Sequence, residues 1–214
     1  DLDSTTFQIG ESVQVYPGGK TRCIWSAKKT AGTPPNPYWF QVSRGSEEML
    51  LVHWQGGGAC ATRQDSSPNS SAQGCYTSPF IESQGVFDTT DSRNPFRDYT
   101  QVTVTYCSGD LHMGNATRND FDLDPAGQVM QQRGAYNVLA VLSWVQRQQS
   151  KGYLAPTLSK LVFSGCSAGS LGVQAWAFEA KTWLKWKEVG VIADSFLFVN
   201  SLEPGISAIF GPEN

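Results

Sequence analysis

The residues best suited to chemistry are a serine between two glycines. Ser167 lies in a Gly-Cys-Ser-Ala-Gly segment that begins at Gly165 and ends at Gly169. This G-x-S-x-G spacing is typical of a nucleophile elbow, a tight turn from a strand into a helix that exposes a serine hydroxyl for attack on an acyl carbonyl. Glycines are needed there because a Cβ on either side would crowd the turn against the following helix. The alternative is an ordinary serine that caps a helix after a strand.

A run of three glycines is the second candidate feature. Positions 56–58 follow the short apolar run 49–54, which is typical of a buried parallel strand. Backbone N–H groups in such a run can face a developing oxyanion without side chains in the way, and each donor is worth roughly 3–4 kcal/mol in acyl transfer. We assign a candidate oxyanion hole to the N–H groups of Gly57, Gly58 and Ala168. The alternative is a flexible turn.

The elements that must position these residues follow from the pattern of apolar segments. Apolar and β-branched runs alternate with helical periodicity, which predicts an α/β fold with a mostly parallel sheet and flanking helices. Strands are predicted at 38–42, 49–54, 100–106, 161–163 and 189–194, and helices at 134–149 and from 170 to about 185. Polar, breaker-rich residues predict a leading segment over the first forty positions and a long surface loop over 61–95.

Parallel topology also predicts where these features meet. Sites in a parallel sheet form at the carboxyl ends of its strands. The glycine run, the segment 107–115 and the serine turn each follow a predicted strand. We therefore expect all three at one edge of the sheet.

Composition excludes several classes of partner. The 214 residues carry a net charge of −3, which gives no electrostatic basis for binding nucleic acid. No apolar run approaches the roughly 18 residues that a membrane span requires. The length suits one domain over residues 1–214 with a sizeable core. The start at Asp1, without a signal peptide, predicts a processed mature form.

Five cysteines suit an oxidising compartment: Cys23, Cys60, Cys75, Cys107 and Cys166. No two of them have the C-x-x-C spacing of a zinc or redox site, so neither a metal nor another cofactor is expected. We predict that Cys60 and Cys75 form a disulfide that closes the polar loop. Cys166, beside the candidate nucleophile, either bonds Cys107 or remains a packed thiol.

Two sequons permit N-glycosylation in a eukaryotic source, at Asn69 and Asn115. Each is a short pattern that also arises by chance. Together with the cysteines they favour a secreted, extracellular protein.

Six segments occur in a fixed order: LVHWQGGGAC at 51–60, GVFD at 85–88, NPFRD at 94–98, YCSGDLHMGN at 106–115, GCSAG at 165–169 and ADS at 193–195. This ordered set, across roughly residues 20–198, resembles the pectin acetylesterase family. The resemblance implies an α/β-hydrolase fold, secretion, no metal, and hydrolysis of O-acyl esters. It matches Ser167 to the nucleophile, and Gly57, Gly58 and Ala168 to the oxyanion-hole positions.

One departure from the family pattern concerns the general base. In the family the acid and the histidine follow the serine, but this sequence has no histidine after Ser167. A serine hydroxyl without a base is a poor nucleophile. Three explanations stay open: a second chain or C-terminal fragment completes the site, the sequence stops early, or the protein is a non-catalytic relative. The first two are favoured, because a five-stranded sheet with a bare last edge would leave apolar surface uncovered.

Four polar residues remain as candidates to line the site or act as acid or base. His112 lies in a loop at the active edge, and either serves as the base or orders the loop and contacts substrate. Asp194 ends a predicted strand and is either the acid or, as the resemblance implies, a structural group. Asp110 is expected to hold its own loop by hydrogen bonds. His53, inside an apolar strand, is expected to be a core histidine.

Two functions follow from these expectations. The first is a secreted serine carboxylesterase that removes acyl groups, most simply acetyl, from polysaccharide or glycoconjugate hydroxyls. The second is a catalytically silent hydrolase-fold module that binds glycans or proteins in an extracellular assembly. They differ in whether an aspartate and a histidine lie beside Ser167 in the full gene product.

Overall fold

The computed structural model describes residues 1–3, 6–24, 37–60, 83–118 and 130–195. Eight strands lie in these ranges: β1 Ser12–Val15, β2 Phe40–Ser43, β3 Ser46–Trp54, β4 Tyr99–Val104, β5 Ala116–Arg118, β6 Met130–Gln132, β7 Leu158–Cys166 and β8 Trp186–Asp194. The helices are α1 Gly134–Ser150 and α2 Ala168–Ala180, with short 3-10 turns at Gly85–Phe87 and Lys181–Trp183.

Six of the strands form one sheet in the order β1-β2-β4-β3-β7-β8. The neighbours β4, β3, β7 and β8 run parallel, whereas β1 and β2 add an antiparallel margin. The crossovers from β4 to β7 and from β7 to β8 contain α1 and α2. Strands β5 and β6 pair separately as an antiparallel ribbon. The predicted α/β class with a mostly parallel sheet is confirmed.

The centre of the sheet is its most buried part. All six residues of β4 and the last five of β3 are buried, as expected for inner parallel strands that are covered on both faces. Trp54, Phe163 and the apolar side of α1 share one core cluster. Burial then falls away at β8, where Val191 and Ile192 are 54% and 44% exposed. Within the described ranges, no helix is long and apolar enough to cross a membrane.

The sequence prediction was wrong about the leading segment. Ser12–Val15 forms strand β1, although it was assigned to an irregular region. Its sequence Ser-Val-Gln-Val alternates polar and apolar residues, but the segment is only four residues long and three of them are exposed, so its place comes from pairing with β2. Strand β8 begins at Trp186, three residues before the predicted start. The prediction missed these residues because Lys187 and Glu188 are polar, which an exposed strand at the margin of the sheet tolerates.

The structure decides one of the cysteine pairings that the sequence left open. Cys23 bonds Cys107, across 84 positions of sequence, so the alternative bond between Cys107 and Cys166 is wrong. Cys166 is a partly exposed free thiol. Cys60 is disulfide-bonded, while its predicted partner Cys75 lies outside the described residues, as does the sequon residue Asn69.

Candidate active site

Ser167 occupies the turn between β7 and α2. Its backbone lies at φ 56° and ψ −122°, a conformation that non-glycine residues rarely adopt and that folded proteins keep mainly at functional positions. The turn is held by two main-chain hydrogen bonds: the N–H of Ser167 donates to the carbonyl of Asp194 at 3.0 Å, and its carbonyl accepts from Ser170 at 2.9 Å. The side chain is exposed and makes no capping hydrogen bond to α2. Ser167 therefore stands at the N-cap position of α2 but does not cap the helix through its side chain.

The two flanking glycines are required by close backbone contacts. A Cβ on Gly165 would lie 2.1 Å from the carbonyl oxygen of Gly169. A Cβ on Gly169 would lie 1.9 Å from the carbonyl oxygen of Trp54, at the end of β3. Real Cβ atoms do not approach backbone oxygen this closely. The two glycines of the G-x-S-x-G pattern thus allow α2 to pack directly against the backbone of β7 and β3.

The glycine run lies against the serine turn. A Cβ on Gly56 would lie 2.7 Å from the carbonyl oxygen of Cys166 and 3.3 Å from the Cβ of Ser167. Gly57 and Gly58 continue at φ 152° and 74°, which only glycine adopts easily. The other predicted donor, Ala168, is the first residue of α2, where N–H groups are free of intrahelical bonds and the dipole favours negative charge.

The segment after β4 also binds the glycine loop. The Tyr106 hydroxyl donates to the carbonyl of Gly58 at 2.9 Å and accepts the N–H of Leu111 at 2.8 Å. His112 Nε2 lies 2.8 Å from the carbonyl oxygen of Gln55, and its ring is stacked near that of Tyr106 with centroids 4.6 Å apart. Both rings are buried.

Asp110 is a fully buried carboxylate at the N-terminus of α1. Its Oδ1 accepts the Ser108 hydroxyl at 2.6 Å and its Oδ2 accepts the N–H of Gly134 at 2.7 Å. Burial raises the pKa of Asp110, and these hydrogen bonds oppose that shift. A Cβ at Gly114 or Gly134 would fall within 2.4 Å of the carboxyl group, so glycine is needed on both sides. Asp110 thus fixes the loop to α1.

Both histidines of the chain are buried and have hydrogen-bond partners other than Ser167. His53 Nδ1 lies 2.8 Å from the Ser164 hydroxyl, and the ring meets Phe87 edge-on. Burial lowers the pKa of His53 and of His112 to about 4, with His112 adding to the shift at His53. Both rings are therefore neutral at ordinary pH.

The remaining predicted residues occupy different places. Asp194 supports the serine turn through its main-chain carbonyl, while its side chain is exposed. Asn115 is exposed beside β5, and its side-chain oxygen accepts from the Arg133 guanidinium at 2.9 Å.

Sequence reasoning did not single out Gln55 or Tyr106. Each lies beside a residue that it did select, but nothing in the sequence shows that they touch.

An exposed serine in a strained strand-to-helix turn, at the carboxyl edge of a parallel sheet and beside Gly56, is the arrangement typical of the nucleophile elbow in the α/β-hydrolase fold. Comparison with known families agrees. The chain belongs to the pectinacetylesterase family, whose model matches residues 25–209. The resemblance in sequence is confirmed.

Solved structures show the same fold. The Wnt deacylase Notum from Drosophila, in crystal form II, is 19% identical with a TM-score of 0.54, and the match covers 81% of this chain and 53% of that one. Crystal form I of the same protein is 18% identical with a TM-score of 0.53, covering 87% and 58%. The chain thus spans little more than half the length of these structures. Comparison with curated proteins finds no match.

Proposed function

We propose that residues 1–214 are the nucleophile-bearing part of a secreted serine carboxylesterase that hydrolyses O-acyl esters of a polysaccharide or glycoconjugate. The observation that carries the proposal is Ser167 itself. It is exposed at φ 56°, and Gly56, the first glycine of the run 56–58, lies directly beside it. A serine that only shaped a turn would not require both of these features.

The chemistry would run in two stages. The Ser167 Oγ attacks the ester carbonyl carbon while a base takes its proton, and the N–H groups of Gly57, Gly58 and Ala168 receive the oxyanion. The bond to the sugar oxygen then breaks, the proton passes to that oxygen, and an acyl-serine remains. Water repeats the sequence, releasing the carboxylic acid and restoring Ser167.

The general base is proposed to come from outside this sequence. Of the chain's two histidines, His53 lies within hydrogen-bond distance of the Ser164 hydroxyl and His112 of the Gln55 carbonyl. No hydrogen bond joins either of them to Ser167 in the part of the chain that the structure describes. An aspartate and a histidine from a further segment or a second chain would complete the machinery.

The proposed substrate is an acetylated carbohydrate. Acetyl is the acyl group in the name of the matched family. The structural neighbour is named a Wnt deacylase, which indicates that related folds also act on other acyl groups. Acetyl is the simpler assignment for this chain. Its disulfide-bonded Cys23 and Cys107 favour an oxidising, extracellular compartment.

A catalytically silent binding module is the second candidate. It is favoured by one observation: Ser167 has no histidine partner within the described residues. Such a module would keep the fold and the surface around Ser167 but form no acyl-serine. It would bind acylated or unmodified glycans equally.

The test is labelling with a fluorophosphonate and hydrolysis of an aryl acetate. The complete gene product should react with both and lose both on Ser167→Ala, whereas Ser159→Ala, a matched change on the same strand, should not alter them. Residues 1–214 alone should retain only a residual rate, roughly 10³–10⁴-fold over water. A complete product that carries an aspartate and a histidine after residue 214 and still fails to be labelled would favour the silent module.

A further inference from the structure

The glycine loop that is proposed to hold the oxyanion has little intrinsic rigidity. Three consecutive glycines have no side chains to lock their peptide planes, and glycine loses more conformational freedom on ordering than any other residue. Oxyanion stabilisation depends on donors that are already oriented before the charge develops. Some other part of the protein must therefore fix residues 56–58.

We propose that Tyr106 and His112 are positioning residues that clamp the two ends of this loop and so preorganise the oxyanion donors. The inference rests on the proposed esterase function. Tyr106 binds the carbonyl of Gly58, at the C-terminal end of the run. His112 binds the carbonyl of Gln55, at the N-terminal end. The peptides of Gly57 and Gly58 lie between these two fixed points.

The Tyr106 hydroxyl is itself held in one orientation. It accepts the N–H of Leu111 at 2.8 Å, so its own proton is directed to the Gly58 carbonyl. The main-chain N–H of Tyr106 also donates to the side-chain oxygen of Gln55 at 2.9 Å. One residue thus contacts both ends of the loop.

The His112 ring is held between Tyr106 and α2. The ring stacks near Tyr106, and a Cβ on Gly172 would lie 2.9 Å from His112 Cδ2, so α2 presses closely on the imidazole. Trp176 Nε1 donates to the His112 carbonyl at 2.8 Å. Because the partner of Nε2 is a carbonyl oxygen, Nε2 carries the proton and donates.

The backbone that carries the clamp is strained. Leu111 and His112 both have positive φ, at 58° and 65°, although neither is glycine. Such conformations are unfavourable for residues with a side chain and persist only where the surroundings enforce them. Here they bring the Leu111 N–H to the Tyr106 hydroxyl and the imidazole to Gln55. Asp110 and the Cys23–Cys107 disulfide fasten the same segment to the rest of the fold.

The experiment uses the complete protein with p-nitrophenyl acetate, and active sites are titrated with a fluorophosphonate so that kcat refers to folded enzyme only. Tyr106→Phe keeps the ring and removes the hydroxyl that binds the Gly58 carbonyl. We expect kcat to fall about 10- to 100-fold, with KM within about twofold, because donor orientation matters in the transition state more than in substrate binding. The control is Tyr99→Phe, a buried tyrosine on β4 whose hydroxyl has no hydrogen bond to the described residues.

His112 is tested by conservative rescue. His112→Ala should lower kcat, and His112→Gln should restore much of it, because a glutamine amide can donate to the same carbonyl. A glutamine variant as inactive as the alanine variant would overturn the positioning role of His112. A Tyr106→Phe enzyme with kcat per titrated site within about twofold of the wild type would overturn that of Tyr106.

Hydrogen exchange separates failure of the clamp from failure of the proposed function. Amides of the peptide 55–60 should exchange faster in Tyr106→Phe than in the wild type or Tyr99→Phe. If the wild type neither reacts with the fluorophosphonate nor hydrolyses the ester, the esterase proposal fails. Hydrogen exchange alone then decides whether Tyr106 holds the glycine loop. Unchanged exchange in Tyr106→Phe would overturn the clamp whatever the activity.

Discussion

Gly169→Ala should destabilise the protein even though alanine is the better helix former. Gly169 is in the first turn of α2, where a Cβ would lie 1.9 Å from the Trp54 carbonyl oxygen. Carbon and oxygen need about 3.3 Å, so α2 and the end of β3 would have to separate by more than about 1 Å. Overpacking of this kind costs about 1–3 kcal/mol, and more where backbone must move. The higher helix propensity of alanine offsets only about 1 kcal/mol of this destabilisation.

We therefore expect Gly169→Ala to lower the free energy of unfolding by about 2 kcal/mol. For a chain of this size, that change lowers Tm by about 4–8 °C. Thermal and urea unfolding measure it. The matched control is Gly190→Ala in β8, where nothing lies within 4 Å of the new Cβ. That change should be neutral or stabilise by about 0.5–1 kcal/mol. Equal stability of the two variants would refute the close seating of α2 on β3.

Two further predictions concern stability. Replacing Cys23 and Cys107 together by serine should cost about 4.5 kcal/mol in the chain-entropy model, given the 84-residue separation. Cys166→Ser, which removes a free thiol, should change Tm little. An unchanged Tm in the double variant would contradict this prediction. The free energy of unfolding should also fall as pH drops from about 6.5 to 4. In this range His53 and His112 take up protons in the unfolded state, whereas the buried rings of the folded state stay neutral until about pH 4. The loss should reach up to about 3 kcal/mol for each histidine. A flat profile of Tm against pH over this range would show that the rings are protonated in the folded state.

The sequence predicted the parallel centre of the fold and the serine turn because both have local signals. Continuous apolar runs mark β3 and β7, and the G-x-S-x-G spacing marks the residues whose backbone atoms touch. The margin of the sheet had no such signal. Strand β1 is short and exposed, and only its pairing with β2 makes it a strand.

The contacts that complete the site were not predictable, because they join residues far apart in sequence. The hydrogen bond from Tyr106 to Gly58 spans 48 positions and that from His112 to Gln55 spans 57. Five cysteines allow many pairings, and only the packed structure brings Cys23 to Cys107. The sequence placed His112 at the active edge but could not distinguish a base from a residue that holds a loop.

The candidate site is built mostly from main chain, and this divides its variants into two groups. At Gly165 and Gly169 a side chain would collide with backbone, so substitution should act first on stability. Tyr106 and His112 instead bind carbonyl groups of the glycine loop, so conservative changes there should leave a folded protein that reacts slowly. Ser167 belongs to neither group, because its exposed hydroxyl contributes nothing to the fold that the described contacts reveal. Its removal should therefore abolish reaction at little cost in stability, which is the behaviour of a residue kept for chemistry.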